Sequence, residues 1–145
     1  MKRFDFKLEP LYKLRKNIEK KKQAEVAEVS ALYNKEKEGK DNCILKINDG
    51  IKIVDSIEDT SEMINMSIYL GEYMLALNSQ IAIHDRKMSE IGIELRKRQN
   101  VLQEATRQRR AVEILKEKKL LEYKKLMNKE EQSKLDEWKN DYYVN

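Results

Sequence analysis

Turn-forming residues are scarce in this chain of 145. There is one proline, Pro10, and there are four glycines: Gly39, Gly50, Gly71 and Gly92. A fold of short strands and tight turns needs far more of both, so an all-β architecture is excluded. Cys43 stands alone, which rules out an intrachain disulfide and a cysteine-pair metal site. No apolar run approaches the roughly 18 residues of a membrane span. Met1-Lys2-Arg3-Phe4 is not followed by an apolar core of signal-peptide length. Neither sign of charge dominates, with 30 basic against 26 acidic residues and a net +4. That balance argues against an obligate nucleic-acid binder and fits acidic protein partners better. A reducing, cytoplasmic setting is expected.

What the chain does contain is helix formers. Charged residues make up 39%, and the hydrophobic fraction of 40% is too high and too evenly spread for a disordered tail. Pro10 suits a first helical turn, where its missing N–H has no helical partner. Leu11, Leu14 and Ile18 follow at helical spacing, then Val26, Val29 and Tyr33, then Ile44, Ile47, Ile51 and Val54. Gly39, Asp41, Asn42 and Gly50 are poor helix formers. The preserved spacing predicts one helix, weakened there, over about residues 8–55. Asp55 to Ser61 is rich in side chains that bond backbone locally, which predicts a turn over about 56–60. Thr60 or Ser61 is the expected N-cap of the second helix.

The second helix, about 61–141, carries the strongest pattern. Leu70, Met74, Leu77, Ile81, His84, Met88, Ile91, Leu95, Arg98, Leu102 and Ala105 alternate at steps of four and three. A seam sustained over about five heptads favours a coiled coil over a globular helix. The expected fold is therefore all-α: two long antiparallel helices in a coiled-coil hairpin, a single domain over residues 1–145. At the usual helical rise, about 1.5 Å per residue, a helix over 10–55 spans roughly 70 Å and one over 60–141 roughly 120 Å. Folding about residue 57 or 58 sets residue 10 opposite about residue 105 and leaves the remainder overhanging. A lone helix with an apolar stripe is rarely stable by propensity, so that overhang should bend back, oligomerise or take a partner.

Nothing along the chain assembles a catalytic or metal site, and no cofactor is expected. His84 lies on the seam between Ile81 and Met88, the place of a packed or register-setting polar residue. Cys43 reads as a buried or incidental thiol. Carboxylates such as Glu113 and Glu117 look like solvated helix surface. There is no glycine-rich phosphate loop and no nucleophile–base pair. Two features point instead to binding. Arg96, Lys97, Arg98, Arg107, Arg109 and Arg110 form a basic cluster against Glu104, a solvated face, a dock for an acidic protein surface or, least in keeping with the absence of interleaved aromatics, a nucleic-acid contact. Tyr69, Tyr73, Ala76 and Gln80 form a second stripe beside the seam, a candidate binding patch or a broadened core.

Three stretches resemble the FliJ family of flagellar type III export proteins. They are Phe4-Asp5-Phe6-Lys7-Leu8-Glu9-Pro10-Leu11-Tyr12-Lys13-Leu14-Arg15, then Arg110 to Lys118 followed by Tyr123, and Glu131-Gln132-Ser133-Lys134-Leu135-Asp136-Glu137. The resemblance implies a cytoplasmic coiled coil at the flagellar base, peripheral to the membrane and similar to the central stalk of rotary ATPases. It implies as partners a hexameric FliI-like export ATPase, a FlhA-like export gate protein and, in some systems, export chaperones. It places a gate-docking patch early in the second helix. Tyr69 and Ala76 match its aromatic and small positions, Tyr73 stands where an aliphatic is commoner, and Gln80 occupies a polar position. Arg107, Arg109, Arg110, Leu135 and Trp138 are the residues expected to face the ATPase ring. Three other functions fit the same physics: the stalk of a virulence secretion ATPase, an escort or holdase for export substrates or chaperones, and a purely structural coiled-coil oligomer that buries the C-terminal stripe.

Overall fold

The structure, a computed structural model, describes residues 2–144. Two helices account for nearly all of them, α1 over Glu9–Asp55 and α2 over Thr60–Val144, with no strand among the described residues. They pack against each other as a two-helix hairpin. The chain forms two compact units, one built from its two ends, through Lys22 and from Leu102, the other from Gln23–Val101.

Local chemistry sets the helix ends. Ahead of α1, the Glu9 amide donates to Phe6 O at 3.0 Å and the Tyr12 amide to Leu8 O at 2.9 Å, so Pro10 falls in the first turn, where it breaks no bond. At the other end, the Ser56 hydroxyl donates to Ile53 O at 2.7 Å and the Ile57 amide to Val54 O at 3.2 Å, closing off the last carbonyls. The first bond of α2 runs from the Met63 amide to Asp59 O at 2.9 Å. The cap is thus Asp59, one residue before the expected Thr60 or Ser61, and its carboxylate suits the positive helix end.

Within Gln23–Val101, α1 runs unbroken through Gly39–Asn42, and the seam explains the glycines. Along α2, Leu70, Met74, Leu77, Ile81, His84, Met88, Ile91, Leu95 and Arg98 are all buried or half-buried. Along α1 the inward residues are Tyr33, Glu36, Lys40, Cys43, Ile47, Gly50 and Val54. Ile44 and Ile51, expected inward, are exposed instead, and Cys43 and Gly50 take their places. The reason is close approach. A Cβ on Gly39 would meet His84 Cε1 at 2.7 Å, and one on Gly50 would meet Leu70 Cδ1 at 2.6 Å. These two glycines form pits for side chains of α2, and α1 turns its glycine face inward to receive them.

Polar pairs flank this seam. His84 Nδ1 lies 2.6 Å from Glu36 Oε2, Lys40 Nζ 2.7 Å from Asp85, and Arg98 3.0 Å from Glu25. The His84 N–H donated to Glu36 holds that carboxyl below its usual range, aided by Lys87. Asp85, accepting from Lys40, raises the ammonium's pKa. Buried apolar residues are few, Cys43, Val54 and Leu77 here, because a helix pair encloses only one stripe.

In the unit built from the chain ends, Ala105 and Val112 are buried against α1. Lys116 pairs with Glu9 at 2.8 Å and lies over the Tyr12 ring at 4.9 Å. Residue 10 therefore stands near residue 115, not near 105. Side chains lean toward the N-terminus of their own helix, and in an antiparallel pair both leanings shift the contacts in the same sense. Residues 2–8 cross the same face of α2 as a non-helical strap. Phe6 is buried, the Phe4 and Tyr123 rings lie 5.5 Å apart, and the Tyr123 hydroxyl donates to Lys2 O at 2.5 Å. From Asn128 to Val144 every residue is exposed.

Candidate partner-docking surfaces

The stripe Tyr69, Tyr73, Ala76 and Gln80 lies at the turn end of Gln23–Val101. Tyr69 is 66% exposed and Tyr73 46%, and Ala76 is exposed beside them. Gln80 differs from the other three: its Oε1 accepts from the Cys43 thiol at 3.5 Å, which ties it to α1. The two tyrosines also border a groove of about 420 Å³ whose floor and far wall are Gly50, Ile53, Val54, Met66 and Leu70. Four residues of the same helix thus share one face, and three are free to meet a partner.

The basic cluster is divided in its commitments. Arg109 Nε donates to Glu19 across the helix pair at 2.6 Å, and its guanidinium also bonds Glu113. Arg110 reaches Glu113 at 2.9 Å and Glu117 at 3.3 Å along its own helix. Hydrogen bonds from Arg110, with the charge of Arg109, hold the Glu113 carboxyl below its usual range. Glu113 is therefore an internal tie for two arginines, more than the solvated surface its spacing implied. Arg107 has only a 3.7 Å contact with Glu104, and its side chain is 76% exposed. Of the three, it presents its charge most freely.

Leu135 and Trp138 are 59% and 67% exposed, near the end of α2. Trp138 stacks on Tyr142 with ring centroids 6.0 Å apart, and Tyr142 meets Tyr143 edge-on. Exposed aromatics one helical turn apart, with no intrachain cover, make a surface suited to a partner.

The family model described as Flagellar FliJ protein matches residues 4–144. The chain belongs to the FliJ family. It is a flagellar export-related component, and the match runs from the strap through the exposed end of α2. No curated protein and no solved structure matches the chain. No helix among the described residues is long and apolar enough to cross a membrane, and no cluster of three or more potential metal ligands occurs among them.

Sequence reasoning missed the strap. Phe4 and Phe6 carried part of the family resemblance, but their packing partner Tyr123 lies more than a hundred positions away, and no local periodicity connects them. The groove beside Tyr69 was missed because it depends on which face of α1 turns inward. Gly50 spaced with Cys43, Ile47 and Val54 was the available signal.

Proposed function

We propose that this FliJ-family chain is a non-enzymatic stalk and coupling factor of the flagellar type III export apparatus. It binds the hexameric FliI-like ATPase through the exposed end of α2 and a FlhA-like gate through the Tyr69 face, on the cytoplasmic side at the flagellar base. One observation carries the reading: α2 continues from Asn128 to Val144 with every residue exposed and with Leu135, Trp138 and Tyr142 uncovered. An isolated helix of that composition gains little from propensity, so a surrounding protein is the natural source of its burial. Arg107, with a single long contact to Glu104 and a side chain 76% exposed, adds an accessible charge for acidic ring residues. Stimulating ATP hydrolysis needs no chemistry from this chain, only different affinities for the different states of a ring subunit.

The test is ATP hydrolysis by the cognate ATPase, titrated with this chain while light scattering follows ring assembly. Activation that saturates near one chain per ring supports the stalk. Loss of activation in Trp138→Ala with helicity intact assigns the contact. No binding and no activation by the folded chain refutes the stalk and favours an escort role, which suppression of substrate aggregation would then report.

A further inference from the structure

The turn end of α2 carries more apolar surface than α1 and the tyrosine stripe account for. Ile64, Ile68, Gly71, Leu75, Asn78 and Ala82 succeed one another at steps of four, three, four, three and four. All six are exposed, with Ile64 at 57%, Ile68 at 59% and Leu75 at 70%. At 3.6 residues per turn this stripe lies about 110° around α2 from the seam and about 150° from the Tyr69 stripe. Over these turns α2 thus carries large apolar side chains on three sides, with Asn78 the one polar side chain of this stripe, and an apolar stripe on a helix is a surface that packs against another element.

The spacing identifies the class of occupant. Alternating steps of three and four are matched by another helix, whose side chains seat between those of this one. Gly71 adds an independent observation. A Cβ built there meets nothing within 4 Å, so nothing in this chain requires a glycine, the poorest helix former after proline. At a helix–helix contact a glycine can seat a side chain of the facing helix, as Gly39 seats His84 and Gly50 seats Leu70 inside this molecule. The charge pattern selects among helices. From Ile53 to His84 there is no lysine or arginine, while Asp55, Glu58, Asp59, Glu62 and Glu72 are acidic, in a chain whose total is +4. Of these, Glu72 stands about 80° around α2 from the stripe, and Asp55, Glu58 and Asp59 lie at the turn end beside it, so the surroundings of the face are acidic. A second copy would bring like charge to like charge, whereas a basic helix is attracted.

We propose that the Ile64–Ala82 face of α2 docks a helix of another protein, apolar at heptad spacing and lysine- or arginine-bearing on its flanks, with closest approach at Gly71. This holds whether or not the chain acts as an ATPase stalk.

The test uses the full chain and two synthetic helical peptides of about three heptads. Both carry leucine and isoleucine at the seam positions; one has lysine flanks and the other glutamate flanks. Fluorescence anisotropy reads binding, and circular dichroism reads folding. The lysine peptide binds, more weakly as salt rises, and the glutamate peptide does not. Gly71→Leu and Leu75→Ser each weaken binding by about tenfold or more while the chain keeps its helicity. Tyr69→Ala, on the neighbouring stripe, leaves binding unchanged. The proposal is overturned if Gly71→Leu binds like the parent, if both peptides or neither bind, or if Tyr69→Ala weakens binding equally. It is also overturned if light scattering shows a dimer that Leu75→Ser dissolves, because the occupant is then a second copy.

Discussion

Replacing Gly39 by alanine sets two effects of known size against each other. Alanine is the better helix former by about 1 kcal/mol, and at an exposed mid-helix position that gain is realised in full. At Gly39 the new methyl carbon would lie 2.7 Å from His84 Cε1, 3.0 Å from Nε2 and 3.3 Å from Nδ1. Three atoms of one rigid ring are too close at once, so no small rotation clears them all. The ring is also tethered, since Nδ1 is bonded to Glu36 at 2.6 Å. Overpacking of this kind costs about 1–3 kcal/mol. Gly39→Ala should therefore lower stability by about 1 kcal/mol net, whereas Gly71→Ala, where nothing stands within 4 Å, should raise it by about 1 kcal/mol. Urea denaturation followed by circular dichroism measures both on one scale. Adding His84→Ala to Gly39→Ala should remove the clash and turn the substitution favourable. If Gly39→Ala stabilises as much as Gly71→Ala, the pit does not exist as described.

Leu77→Ala truncates the least exposed of the described residues, at 4%, and should cost about 2–4 kcal/mol by the same denaturation assay. The Glu36 carboxyl titrates below its unfolded value, so the unfolded chain binds more protons and stability rises with pH. That contribution is complete above the ordinary carboxylate range and is lost as pH falls through the depressed value, a loss that Glu36→Gln should abolish in an acid titration of the melting temperature. Deleting residues 129–144, all exposed, should change the unfolding free energy of the remainder by less than about 0.5 kcal/mol. Phe6→Ala should speed hydrogen exchange at the α2 amides around Tyr123 and leave those around Leu77 unchanged.

The two-helix architecture was legible because α2 repeats one spacing from Leu70 to Ala105, and side chains at that spacing share a face whatever lies opposite. The inward face of α1 was less legible. Cys43, Ile47, Gly50, Val54 and Ile44, Ile47, Ile51, Val54 both fit the seam, and hydrophobicity favours the second set. The pits decide for the first, and a pit is a property of two helices at once. The same holds for Arg109, whose position marked a charge but not its engagement with Glu19. Tyr69, Tyr73 and Ala76 read correctly as neighbours on one face, since that follows from spacing alone. The tie between Gln80 and Cys43 does not.

The pits at Gly39 and Gly50 also bear on alignment. A helix pair can slide by one heptad and still bring apolar residues together, so a long seam alone permits several nearly degenerate pairings. Between Pro10 and the turn, α1 has no other glycine. Any slipped pairing would drive the His84 ring or the Leu70 side chain against a Cβ while leaving a void elsewhere. Each glycine sacrifices about 1 kcal/mol of helix propensity, and the pair exchanges that stability for a single register. Every exposed stripe within Gln23–Val101 inherits its position from that alignment, so a partner meets one surface there and not an average over several.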